Sequence, residues 1–310
     1  MGRFVQIAGE RRPSGIAAQF HIARGGVRLR AATAPALGLA QGTVVLLNGR
    51  TEFIEKYFDV IADLQQRSYN VVTLDWRGQG LSDRSGGKPE IGHVNDFDDY
   101  VHDLECVLKE TPTDFARPFI GLAHSMGGAI LLRALQLRAI DVQACVFSAP
   151  MWGLLNIPDW APPVLRAAKI LGLGHQAVPG APRAWAPERF EDNVLTHDWR
   201  RHAKTQKLLE IAPDLRLAAP SIGWVVAAMD LCEKLHRSGG LGHVKIPILV
   251  ASAAEEALVD NRAHEEFAHS LARAVHVTIP DARHELMMER DPARDAFFSA
   301  FDTLAQQVAR

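Results

Sequence analysis

A serine, a histidine and a small choice of carboxylates follow one another in an order that could support nucleophilic chemistry. The serine stands in "GLAHSMGG", residues 121–128, between a strand-like run (118–122) and a helix-like run (126–138). A tight strand-to-helix turn would push the Ser125 hydroxyl above the sheet edge. The helix N-terminus behind it would offer free N–H groups to a developing anion. Ala123 occupies the place of the first glycine in the usual Gly-x-Ser-x-Gly pattern. That place needs a small side chain because strand and helix approach closely, and alanine adds one methyl group. Gly127 and Gly128 remain on the helix side.

A serine nucleophile needs a base, and the base needs an acid that fixes its tautomer. After a strand–serine–helix turn these follow in the order acid then histidine, each past a later strand. Of the thirteen histidines, His284 lies in a loop directly after the last expected strand, 275–279. The acid belongs to "ASAAEEALVDN", after the strand expected at 246–250. Glu256 is the preferred residue and Asp260 the alternative acid. Asp260 could instead cap a helix starting near Asn261, and Glu255 reads as solvated. An oxyanion hole would combine the N–H of Met126 with that of Arg50, where Gly49 permits close backbone approach and Thr51 could cap the turn. "LDWRGQGLSD" (74–83) reads as a glycine-rich structural turn braced by Asp–Arg contacts, and His124 as packing behind the serine turn.

Positioning these groups requires alternating strands and helices. Gly25-Gly26 joins two runs (17–23 and 26–32) as a hairpin. Strands at 43–47, 71–74, 118–122, 142–147, 246–250 and 275–279 alternate with amphipathic helices, the last one opened by Asp291 as N-cap and Pro292. This is an α/β chain with a mostly parallel, doubly wound sheet. Residues 151–240 break the alternation and hold five of the six tryptophans, so they are expected to form an inserted helical lid. The core would comprise 1–150 and 241–310. Met151, Trp152, Trp224 and Met229 are the lid residues expected to make an apolar substrate pocket.

Composition narrows the setting. The chain is 47% hydrophobic with a formal net charge of −2, so it can bury a core and carries no signature of nucleic-acid binding. Three dispersed cysteines form no disulfide framework or zinc site and fit a reducing, cytoplasmic compartment. The oligomeric state is not encoded in any visible feature.

"LLNGRTEFIEKY", "LDWRGQGLSDR", "AHSMGG", "RHELMMERD" and the lid phrase "VLTHDWRRHAKTQKLLEIAPDLRLAAPSIGW" together resemble the bacterial lysophospholipase and monoacylglycerol lipase group (serine aminopeptidase S33 type) of the α/β-hydrolase superfamily. The likeness runs from about residue 20 to the C-terminus. It implies a cofactor-free hydrolase of single-acyl-chain lipid esters, with Ser125 as nucleophile and His284 as base, while the composition is compatible with peripheral membrane contact through the lid. Glu256 falls where the group usually has aspartate, and Asn48 where many members have histidine. With Ala123 these departures keep a second reading in play, a non-catalytic amphiphile-binding homologue. Members of the fold also act on peptides and thioesters, so fold alone does not set the substrate.

Overall fold

A computed structural model describes residues 2–84, 88–237 and 240–309. Its centre is one eight-stranded sheet built from β1 (Ala17–Ile22), β2 (Arg28–Ala34), β3 (Gly42–Leu47), β4 (Tyr69–Leu74), β5 (Phe119–His124), β6 (Ala144–Ser148), β7 (Ile248–Ala253) and β8 (Ala274–Ile279). The strands lie in the order β1-β2-β4-β3-β5-β6-β7-β8. β1 and β2 form the antiparallel start, turning through Gly25 and Gly26 at φ +79° and +76°, and β3 to β8 run parallel. The expected strand at 246–250 begins two residues later, after Pro247, and extends to Ala253. Proline has no N–H to give a ladder, which sets that start.

Alternation along the strands divides the core in two. Val45, Leu47, Val72, Leu74, Cys145, Phe147 and Val250 face one side, with α2 (Asp98–Lys109), α3 (Met126–Gln136) and α7 (Asn261–Ser270). Val44, Leu46, Val71, Ile120, Leu122, Val146 and Leu249 face the other, with α1 (Phe58–Gln66) and α8 (Asp291–Ala305). Helices on both faces explain why these strands are apolar throughout rather than alternating with polar residues. α8 starts one residue from expectation: Arg290 holds the N-cap position, and Asp291 makes no cap because its carboxylate binds Arg201.

Between β6 and β7 the chain leaves the sheet and forms α4 (Ala161–Ala168), α5 (Trp199–Ile211) and α6 (Ile222–Arg237). α6 packs on α4 and α3, and Ala161, Leu165, Ile222, Val226 and Met229 make a small core of their own. α5 starts at a proper cap, Asp198 accepting from the N–H groups of Arg200 and Arg201. Leu208 and Leu209 of α5 press against Phe53 near the end of β3. Among the described residues no helix is long and apolar enough to cross a membrane.

Two features of this packing have measurable consequences. A Cβ on Gly127 would sit 2.6 Å from the Leu47 carbonyl oxygen and 2.7 Å from that of Asn48. Gly127→Ala is therefore expected to destabilise the fold by about 1–3 kcal/mol in urea denaturation, although alanine is the better helix former. A neutral or stabilising result would contradict the close approach of α3 to β3. Burial also holds two histidines, His124 and His264, down at about 4. Their folded values lie below the unfolded value of about 6.5, so the unfolded chain binds protons first on acidification. Stability is then full above pH 6.5, falls between 6.5 and about 4, and levels off below, by at most ~3 kcal/mol per histidine. His264→Gln should flatten the difference between urea midpoints at pH 7 and pH 5; an unchanged difference would refute this linkage.

Candidate active site

Ser125 sits at the end of β5 with φ +49° and ψ −117°, a conformation that a non-glycine residue holds only when its surroundings dictate it. The surroundings do so through four backbone hydrogen bonds. Ser125 N–H donates to Ser148 O at 3.1 Å, and its carbonyl accepts from Gly128, Ala129 and Met151. Ala123 causes no conflict, since it lies in regular parallel register between Leu47 of β3 and Phe147 of β6. The turn lifts the hydroxyl to the C-terminal edge of the sheet, where the loops after β7 and β8 converge.

His284, in the loop after β8, brings Nε2 to 2.9 Å from Ser125 Oγ, and its Nδ1 lies 2.8 Å from Glu256 Oε2. A carboxylate only accepts, so Nδ1–H donates to Glu256 and Nε2 is left to accept the serine proton. Glu256 lies three residues beyond the observed end of β7. Its second oxygen accepts from the N–H groups of Ala257 and Leu258 at 2.9 and 2.8 Å. Burial alone would raise this carboxyl, but the His284 contact and the backbone N–H groups outweigh burial and hold it below the ordinary range. Asp260 is engaged elsewhere: it caps α7 through Arg262 N–H and pairs with the Arg262 guanidinium. Glu255 is half-exposed, 3.1 Å from His197 Nε2.

The loop after β3 runs beside the serine. A Cβ at Gly49 would lie 3.2 Å from Ser125 Cβ. Among the described residues, Arg50 N–H and Met126 N–H donate to no protein acceptor; the latter is an orphan donor of the first turn of α3. Thr51 does not cap the turn. At φ +66° its hydroxyl donates back to Arg50 O, and the Glu52 carboxylate takes the Gly49 N–H instead. Trp76 Nε1 and Gln79 Nε2 fix the carbonyls of Asn48 and Gly49 at 2.9 and 2.7 Å.

A buried charged cluster beneath these loops escaped the sequence reading. Lys56 Nζ lies 2.8 Å from Glu52 and 2.5 Å from Glu285, the residue after His284, and Tyr57 donates to Glu52 at 2.7 Å. Burial opposes charge here, yet Lys56 and His124 hold Glu52 down at about 2. Glu52, His124 and Glu285 come close enough together to hold a cation, and the Lys56 ammonium supplies that positive charge. The Glu52–Lys56 spacing of four was a visible signal; Glu285 was not. His124 packs behind the turn as expected, its Nδ1–H donating to Ser148 O at 3.0 Å.

Of the four expected pocket residues, Met151, Trp152 and Trp224 belong to one core cluster and Met229 to another. Trp152 is fully buried between Phe147 and Phe267, its indole N–H on Gly128 O at 3.3 Å, and so has no surface left for a ligand. Met229 belongs to the small core shared by α4 and α6. Met151 is buried directly behind the serine turn, and Trp224 packs on Phe97 and under the Arg50 guanidinium. The "LDWRGQGLSD" turn is structural: buried Asp75 pairs with Arg30, and Arg77 makes a two-pronged contact with Asp103.

Comparison with known proteins agrees with this architecture. The family described as serine aminopeptidase, S33, matches residues 38–291. Lysophospholipase L2 of Escherichia coli (strain K12) is 32% identical over 277 residues, covering 83% of this chain and 78% of that protein. Monoglyceride lipase of Saccharomyces cerevisiae, a soluble variant with a substrate analog, superposes with a TM-score of 0.74 at 18% identity, over 97% of this chain and 99% of that one. Monoacylglycerol lipase of Paleococcus ferrophilus gives 0.67 at 18% identity over 90% and 98%. The chain belongs to the serine aminopeptidase S33 family of α/β hydrolases, within its lysophospholipase-like group of ester hydrolases.

Proposed function

We propose that the protein hydrolyses the carboxylic ester of a single-acyl-chain lipid, a lysophospholipid or monoacylglycerol, through an acyl-enzyme on Ser125. The observation that carries this reading is the unbroken hydrogen-bonded chain Ser125–His284–Glu256. His284 Nε2 takes the hydroxyl proton as Ser125 Oγ attacks the ester carbonyl, and the N–H groups of Arg50 and Met126 hold the oxyanion. Collapse of the tetrahedral adduct breaks the bond to the glycerol oxygen, which leaves with the proton from His284. Water then attacks the acyl-enzyme while His284 accepts its proton, and the fatty acid departs as Ser125 recovers its hydrogen. Glu256 remains ionised throughout, fixing the tautomer and stabilising the imidazolium. The relatives named for lysophospholipids and monoacylglycerols support the lipid class.

Contact with a lipid surface through the lid completes the proposal. Around α4 and the turn that follows, Trp160, Ile170 and Leu171 are 66%, 85% and 78% exposed, with Val164 and Leu173 beside them. A run of large apolar side chains facing water is unusual for a surface that meets only solvent.

Two measurements test these readings. A fluorophosphonate probe should label Ser125 in folded protein, and Ser125→Ala should abolish both labelling and turnover of a monoacyl lipid. Glu256→Gln should lower kcat by about 10⁴-fold, and Asp260→Asn should cost little beyond helix stability. Loss of activity in Asp260→Asn alone would overturn the assignment of the acid. Lipid binding that survives Ser125→Ala, with no turnover in either protein, would favour the non-catalytic reading. For the lid, co-sedimentation with phosphatidylcholine vesicles should fall in the double variant Ile170→Ser, Leu171→Ser, and undiminished binding would rule this surface out.

A further inference from the structure

Among the described residues, Arg50 is an arginine whose side chain the fold leaves poorly satisfied. Several other buried or half-buried guanidinium groups meet carboxylates: Arg30 binds Glu55 and Asp75, Arg77 binds Asp103, and Arg201 binds Asp198. Arg84, which pairs with none of these, donates instead to four backbone carbonyls. Arg50 has one protein acceptor, the Ala218 carbonyl at 2.8 Å from Nη2. Its Nε is buried with no acceptor at all. Among the described residues no carboxylate pairs with it, and Tyr100 is a titratable neighbour. Burial lowers it to about 10, so it still carries its charge at neutral pH. The guanidinium lies 5.1 Å from the Trp224 ring centroid, and Nη2 would stand 3.3 Å from a Cβ at Gly92. A cation held this way, without a counter-charge, is costly to bury unless an anion joins it.

Its place in the chain says which anion. The backbone N–H of Arg50 is the one assigned above to the ester oxyanion, and the side chain leaves from the same residue. About six covalent bonds separate that nitrogen from the guanidinium carbon. In a lysophospholipid acylated at a terminal glycerol carbon, about six bonds likewise separate the ester carbonyl carbon from phosphorus. A guanidinium also presents paired donors that match phosphate oxygens.

We infer that the Arg50 side chain is the headgroup subsite of the enzyme, binding the phosphate of a lysophospholipid while the Arg50 backbone holds the ester. This assignment rests on the hydrolase reading above and selects the phosphorylated substrate over the neutral monoacylglycerol. Beside Nη2, a Cβ at Gly92 would meet Leu217 Cδ2 at 3.2 Å as well, and the guanidinium carbon lies 5.1 Å from the Trp224 ring centroid.

Binding and turnover test it separately. In Ser125→Ala protein, titration calorimetry with octanoyl-glycerophosphocholine and with octanoyl glycerol, both below their micelle concentrations, should show the phosphate-bearing ligand binding about 10- to 100-fold more tightly. Arg50→Met should erase that preference, and Arg50→Lys should restore part of it. Equal affinity for the two ligands, or no binding of the phosphate-bearing one, overturns the assignment. So does inorganic phosphate alone binding as tightly as the lysophospholipid, which would make this a free-anion site. In otherwise wild-type protein, the ratio of kcat/KM for the lysophospholipid to that for the monoacylglycerol should fall by the same factor in Arg50→Met, mainly through KM. An unchanged ratio, even with both activities reduced, would make Arg50 structural. Preferential binding without turnover of either lipid would reject the hydrolase reading and leave the anion subsite standing.

Discussion

The ammonium of Lys56 lies between two buried carboxylates, and much of the active-site geometry hangs on it. One carboxylate, Glu52, receives the N–H of Gly49 and so sets the loop that flanks Ser125. The other, Glu285, follows His284 directly and sets the height of the histidine loop. The two loops come from opposite ends of the chain and have no shared strand. A buried ion cluster is a demanding way to join them, because removing one partner leaves an uncompensated charge that costs on the order of 3–5 kcal/mol. That sensitivity is also its use: the loops can hold only the spacing at which all three charges are satisfied.

The serine turn adds a second constraint, a steric one. Ser125 adopts a positive φ that its own side chain disfavours, and the fold holds it there with hydrogen bonds from three directions. The glycine behind it lets α3 touch the carbonyls of β3, which draws the first turn of α3 and the loop after β3 to either side of the serine. The lid is tied into the same frame. Glu289, fully buried, accepts from the N–H groups of His197, Arg283 and Arg290, and Glu285 N–H donates to Leu195 O at 2.8 Å. The segment 193–197 and the histidine loop are therefore hydrogen-bonded to each other.

Charge is distributed unevenly across this frame. Histidines that support it from behind, His124 and His264, are desolvated and neutral, each with a backbone carbonyl to receive its proton. The carboxylate that faces His284 is kept ionised, against burial, by the His284 contact and by backbone N–H groups. Among the described residues, Arg50 brings positive charge to the loop beside the serine and no carboxylate pairs with it. The chemistry of the site thus depends as much on which groups are denied partners as on which receive them.

Much of the architecture was legible in the amino-acid order, because it rests on local rules. Alternating apolar runs marked the strands, helix-period spacing marked the helices, and Ser125 and His284 followed strand ends, where the loops of a parallel sheet gather. Errors at this level were of one to three residues at the ends of elements, at β2, β4, β5, β6, β7 and α8, a proline moving the start of β7 and a diverted aspartate that of α8. Choosing between Glu256 and Asp260 was beyond local rules, since both follow β7 and differ only in which loop each side chain can reach. The tertiary structure separates them by placing His284 beside one and Arg262 beside the other. Likewise Trp152 looked like a pocket residue until packing enclosed it. Lys56 and Glu285 are 229 positions apart, and Arg50 is defined by partners it lacks. The sequence by itself determined the elements and the reactive residue types, which depend on neighbours along the chain. Only the tertiary structure decided which charges meet and which stay unpaired, because electrostatics and desolvation act through space.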